Sequence, residues 1–218
     1  MQNYDQLITN LVSDLTKKPK QLPILLLAII WWLATWAYVS VATLLLGPLR
    51  PDVHIHLAHE HQFQIETFLG LFAGLCVTVC AWYSAVPGLL KRKWLFFSIG
   101  LVIVWISFYI VGIFSPALEP SMLGKREYCY LEAFLYSMPP TLGAAILLAK
   151  RSHLHRRQTG LLIGLSAGMI PALLMQVACM YEPWHILHSH IFPGLLNAVV
   201  GVVLFILVKK MMLSQASF

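Results

Sequence analysis

Charge is scarce in this chain. Only 11% of its 218 residues are Asp, Glu, Lys or Arg, against about 25% in an ordinary soluble domain. At the same time 59% are hydrophobic, and mean hydropathy is +0.74. That shortage excludes a water-soluble globule with an ordinary surface. Cysteine is scarce too, with four residues. None of them forms the Cys-x-x-Cys pair that a membrane thiol oxidoreductase normally carries. The sequence also lacks His-Glu-x-x-His, a nucleotide-binding glycine loop and any hydrolytic motif, so an enzyme is not expected.

Long apolar runs are what the chain has instead. Six are long enough to cross a hydrocarbon core of about 30 Å as helices of roughly 17–25 residues: Leu22–Leu46, Ile65–Val86, Trp94–Phe114, Tyr128–Ala149, Thr159–Met180 and His190–Val208. The expected fold is all-α, an integral membrane bundle of six transmembrane helices. It divides into an N-terminal segment, 1–21, the transmembrane domain, 22–208, and a tail, 209–218. The first run is too long for a signal-peptide core and enters Gly47-Pro48 without a small-x-small cleavage site.

Basic residues set the expected orientation. Lys17, Lys18, Lys20, Lys91, Arg92, Lys93, Lys150, Arg151, Arg156, Arg157, Lys209 and Lys210 fall on one side of the six spans, and Arg50, Lys125 and Arg126 on the other. The positive-inside rule puts the richer side, with both termini, in the cytoplasm. The net charge of +6 is then what short cytoplasmic loops require, and no direct contact with nucleic acid is implied. Leu7, Ile8, Leu11 and Leu15 form an apolar stripe at helical spacing in the N-terminal segment. That stripe suits the bilayer surface, the protein's own core or the groove of a partner protein.

Gly160, Gly164 and Gly168 recur every four residues on the fifth span, a spacing that lets helices approach closely. Cys76 and Cys80 lie on one face of the second span, where free cysteine reads as a small apolar residue. The span centres offer mainly Thr78, Ser107, Ser137, Ser166 and Gln176, thin for a metal transport path.

The expected topology gathers soft ligands on the outer side: Cys129 and Cys179 at span ends, His54, His56, His59 and His61 in the first loop, and His185, His188 and His190 after Cys179. Thiols and imidazoles bind transition metals, and thiols undergo redox chemistry. Cys129 and Cys179 read either as a pair that meets or as ordinary boundary residues. The first histidine group reads as a solvated loop; the second has Cys179 and Glu182 beside it. Glu66 and Glu132, near outer span ends, read as functional acids or as snorkelling, hydrogen-bonded carboxylates.

Several segments together carry a resemblance: Leu49-Arg50-Pro51-Asp52; Cys129 followed by Pro139-Pro140; Cys179-Met180-Tyr181-Glu182-Pro183-Trp184-His185; then His190 and Pro193-Gly194-Leu195. In this order across six spans, the chain resembles the NrsF family of negative regulators of extracytoplasmic-function sigma factors. The resemblance implies a multi-pass protein of the bacterial inner membrane. Its cytoplasmic side would hold a sigma factor inactive, with Leu7, Ile8, Leu11 and Leu15 as partner-binding residues. It also implies that Cys129 and Cys179 sense metal or oxidative stress from the envelope side. His185 and His190 are the imidazoles expected to join them, with zinc, copper or cadmium as a signal rather than a resident cofactor. The first-loop histidines and Glu132 depart from the family pattern. A membrane thiol oxidoreductase, or a metal-handling or transport protein using the outer Cys/His cluster, is the alternative.

Overall fold

A computed structural model describes residues 4, 6, 8–9, 22–51, 53–151 and 155–215. Among them the secondary structure is entirely helical: α1 (Ile24–Leu46), α2 (Val53–His59), α3 (His61–Tyr83), α4 (Arg92–Gly112), α5 (Cys129–Ala149), α6 (Arg156–Ala178), α7 (Pro183–Ile186), a π-helical turn (Leu187–Ile191) and α8 (Phe192–Gln215). Six helical stretches are long and apolar enough to cross a membrane, the last being the continuous path Pro183–Ser214. Helices suit such sequences because each satisfies its own backbone hydrogen bonds where no water is at hand.

Helix ends differ from the sequence reading at several places, three of them by four residues or more. One of these is the end of α8, at Gln215 rather than Val208, so that most of the tail assigned to 209–218 is helical. The second span begins at His61 rather than Ile65. Its polar first turn is helical because the side chains find partners: Gln64 donates to the Leu57 and Ala58 carbonyls of α2, and Gln62 to Glu66. The sixth helical path begins at Pro183 rather than His190. Pro183 occupies the first helical turn, and the Glu182 carboxylate accepts the His185 N–H at 3.0 Å, capping α7. Proline is tolerated at that position because its missing N–H would have no intrahelical partner. Of the N-terminal stripe, Ile8 is helical and 56% exposed, while Leu7, Leu11 and Leu15 lie outside the described residues.

The centre of the bundle is α6, whose apolar window is 83% buried, against 28% for both α1 and α4 at the periphery. Its three glycines explain the tightest joint. A Cβ on Gly160 would come within 2.7 Å of Val202 Cα on α8. On Gly164 it would strike the Asn197 carbonyl, and on Gly168 the Gly194 carbonyl. The glycine spacing is therefore a packing seam. Hydrogen bonds cross the interior at intervals: Thr78 Oγ1 to Ser166 Oγ at 2.6 Å, Gln176 Nε2 to Thr67 Oγ1 at 3.3 Å, and Asn197 Nδ2 to both Thr141 Oγ1 and the Gly164 carbonyl at 2.8 Å.

The bundle has two chemically different ends. One carries the start of α4 with Lys91 to Lys93, the end of α5 and the start of α6. There Lys209 Nζ donates to the Ala149 and Arg151 carbonyls at 2.7 and 3.1 Å, neutralising the C-terminus of α5. The opposite end carries the start of α5, the end of α6 and the π-helical turn, and it holds the Cys/His residues.

Candidate metal and thiol site

Cys129 opens α5 and Cys179 closes α6, so an antiparallel pair of neighbouring helices brings together sulfurs 50 positions apart in sequence. They lie 2.8 Å from each other, both buried and both free thiols. Cys179 Sγ is also 3.6 Å from His185 Nε2. His190 enters from the π-helical turn, whose wide i to i+5 repeat brings its ring edge-on to that of His185, with centroids 5.0 Å apart at 87°. One ligand atom from each of Cys129, Cys179, His185 and His190 fits within 4.8 Å of all the others.

Two observations bear on what this cluster can hold. His190 is 0% exposed, and among the described residues its ring nitrogens have no well-formed hydrogen bond, only an electrostatic contact with the Cys179 thiol. A buried imidazole left in that condition is costly unless something between the rings and sulfurs accepts its lone pair. Second, the spacing suits a tetrahedral ion. With sulfur about 2.3 Å and nitrogen about 2.0–2.1 Å from zinc, a sulfur–nitrogen edge is about 3.6 Å and a sulfur–sulfur edge about 3.8 Å. The Cys179–His185 separation already has this length. The two sulfurs would part by about 1 Å to hold the ion and approach by less to form a disulfide of about 2.05 Å. The same pair is thus near both geometries.

The surroundings prepare Cys179 as the ligand. Hydrogen bonding from Cys129 and from His185 holds its thiol well below the usual cysteine range, and the thiolate is the metal-binding form. The Glu182 cap fixes the backbone that carries His185. His185 is the one partly exposed member of the four, since both cysteines and His190 are buried.

Other candidates lie elsewhere. His188 is exposed and packs against Tyr130, with ring centroids 5.8 Å apart. His54, His56, His59 and His61 belong to α2 and the start of α3, outside the cluster; His61 Nδ1 lies 3.3 Å from Gln64 Oε1. Cys80 Sγ meets Ser98 Oγ at 3.2 Å and the Trp94 carbonyl at 3.6 Å, a packing role. Glu132 pairs with Arg126 at 2.8 Å. Arg126 also donates to the Thr43 and Pro48 carbonyls, at 3.2 and 2.9 Å, tying the end of α1 to the start of α5 beside Cys129. Gly47 leaves room for this arginine, because a Cβ would fall 2.5 Å from the Arg126 guanidinium carbon and force the side chain to shift. Glu66 is sealed inside. Tyr181 donates to its carboxyl oxygens at 3.2 and 3.3 Å, and the same hydroxyl accepts the Ala117 N–H at 3.1 Å.

Sequence reasoning gave Arg50, Arg126, Tyr181 and Asn197 no role in a site, reading the arginines as topology signals and Arg50 and Tyr181 otherwise only as parts of resembling segments. The available clue was that arginines stand on the side otherwise poor in basic charge.

A model of the NrsF family, described as negative regulator of sigma F, matches residues 11–208. The chain belongs to the NrsF family. Membership implies a negative regulator of a sigma factor. No curated protein and no solved structure gives a significant match. Cys129, Cys179, His185 and His190 all fall inside the NrsF match, as do Arg126 and Glu132; Leu7 and Ile8 precede it.

Proposed function

We propose that this chain is an inner-membrane anti-sigma factor with both termini in the cytoplasm. It holds an extracytoplasmic-function sigma factor inactive and releases it when a transition-metal ion or an oxidant reaches Cys129 and Cys179 from the envelope side. The observation that carries the sensing half is the convergence of two thiols and two imidazoles within 4.8 Å at the end of the bundle opposite the basic loops. Family membership carries the regulatory half.

The reading needs two states of the bundle, because a signal shifts an equilibrium only through unequal binding to its members. Moving from 1:99 to 99:1 takes about 5.5 kcal/mol of difference. Four metal–ligand bonds supply that in one case. In the other, an oxidant accepts two electrons from the pair, two protons leave and a disulfide forms. Either event resets the distance between α5 and α6. Residues 1–21, with the loops around Lys91–Lys93 and 150–158, form the sigma-binding surface, and Leu7, Ile8, Leu11 and Leu15 are its apolar face.

Serine at Cys129 and at Cys179 is the test, read by transcription of the sigma-dependent genes under added zinc, copper or cadmium and under oxidant. The double variant inserts normally and ceases to respond. A normal response would return both residues to packing. Separately, Leu11→Asp weakens co-purification of the sigma factor and raises basal transcription. Unchanged repression after deletion of the first 18 residues would place the binding surface elsewhere.

A further inference from the structure

Arg50 is buried beside the Cys/His cluster, yet the cluster does not use it. It is 5% exposed, and among the described residues none of its three guanidinium nitrogens, all sealed from solvent, has a hydrogen-bond partner. Its backbone N–H donates to the Ala178 carbonyl at 2.7 Å, and its guanidinium carbon sits 5.0 Å from the Phe63 ring centroid. Burial pushes its pKa down, but arginine stays charged in proteins. A cation–π contact offsets only part of the cost of a desolvated guanidinium, so the charge calls for an oxyanion.

The space for one adjoins it. Arg50 lines a cavity of about 470 Å³ together with His56, Ser121 and Tyr181, inside the range of about 300–1,000 Å³ typical of small-molecule sites. The wall is built to shape. Gly124 takes a left-handed conformation at φ +78°, and a Cβ there would fall 2.7 Å from Arg50 Cα. Ser121 Oγ accepts the Leu123 N–H at 3.2 Å, leaving its own proton to donate. Two exposed acids, Glu60 and Glu119, line the same cavity, and neither has an ion-pair partner among the described residues. A buried cation and two exposed carboxylates lining one cavity match a ligand that carries both signs.

We propose that this cavity binds a small zwitterion, its phosphate or carboxylate paired with Arg50 and its ammonium group held by Glu60 and Glu119. Arginine's planar fork suits an oxyanion through two parallel hydrogen bonds. Binding draws the guanidinium off the Phe63 face toward the cavity. The ligand is the headgroup of an ethanolamine phospholipid or a free molecule of the same chemistry. The site stands whether or not the neighbouring cluster binds metal.

The test is calorimetric titration of the purified full chain in detergent with O-phosphoethanolamine, inorganic phosphate and ethanolamine, with native mass spectrometry for retained phospholipid. O-phosphoethanolamine binds more tightly than either half alone. Glu119→Gln, at an exposed position that leaves folding intact, weakens it about ten-fold, the size of one lost charge-assisted contact, without weakening phosphate. Arg50→Gln abolishes both. Retained phosphatidylethanolamine that is lost in Glu119→Gln identifies the lipid as the source; binding of the soluble compound with no retained lipid identifies a free ligand. Failure of O-phosphoethanolamine to bind with no ethanolamine lipid retained, or binding indifferent to Glu60→Gln and Glu119→Gln, overturns the proposal.

Discussion

The imidazole of His190 stands edge-on to that of His185, 5.0 Å between centroids, buried and with no well-formed hydrogen bond to its nitrogens among the described residues. Placed this way, it completes a four-ligand set. His190→Ala is expected to lower affinity for zinc by more than the roughly 10–100-fold typical of lost outer-shell contacts, while His188→Ala changes it little. Competition against a chromophoric chelator measures both. Equal effects from the two variants would place the ion elsewhere.

Arg126 and Glu132 should be costly to separate. Removing one partner of a buried pair costs about 3–5 kcal/mol, and Glu132 is 17% exposed on its side chain, which favours the lower end. Arg126→Met is expected to destabilise more than Glu132→Gln, because the carbonyls of Thr43 and Pro48 lose a donor as well. Thermal unfolding in detergent ranks the two; the reverse order would mean that the ion pair, not the carbonyl bonds, dominates.

Two glycine-to-alanine substitutions should act in opposite directions. Gly164→Ala pushes a methyl group into the Asn197 carbonyl, an overpacking cost of about 1–3 kcal/mol. Gly143→Ala on α5 meets nothing within 4 Å and gains up to about 1 kcal/mol of helix propensity. Stability of the two variants in the same detergent decides it.

Thr78→Val tests the interior hydrogen bonds. It removes the 2.6 Å contact with Ser166, and the expected loss is only about 0.6 kcal/mol and at most about 1.7 kcal/mol. A larger loss in an unfolding titration would mean that the pair belongs to a wider network.

Much of the architecture was legible in the sequence because each span is a long apolar window with few competing readings. Topology put Cys129 and Cys179 at the same end of successive antiparallel helices but left open whether they meet; the resemblance to the NrsF family favoured a pair. Three features were not legible. The polar start of α3 was assigned to a loop because hydropathy does not know that Gln62 and Gln64 will find partners. The π-helical turn carries no compositional mark, so the sequence named His185 and His190 as partners of the cysteines without the backbone geometry that brings them together. Arg50 and Arg126 were counted as charges on a side of the membrane, since periodicity says nothing about which loop residues fold back under the helices.

The glycine seam has a mechanical consequence. Where α6 and α8 touch backbone to backbone, there are few side chains to repack, so rotation of one against the other would meet hard atoms. The two helices move as one rigid beam, and that beam carries Cys179, His185 and His190 on its end. Cys129 alone of the four belongs to α5. Under the proposed two-state mechanism, closing or opening the cluster would work as a latch between the beam and a single neighbouring helix. The far end of that helix is gripped by Lys209, which the beam itself supplies. Displacement of α5 at the latch must then be answered at the lysine clamp, on the opposite face of the protein.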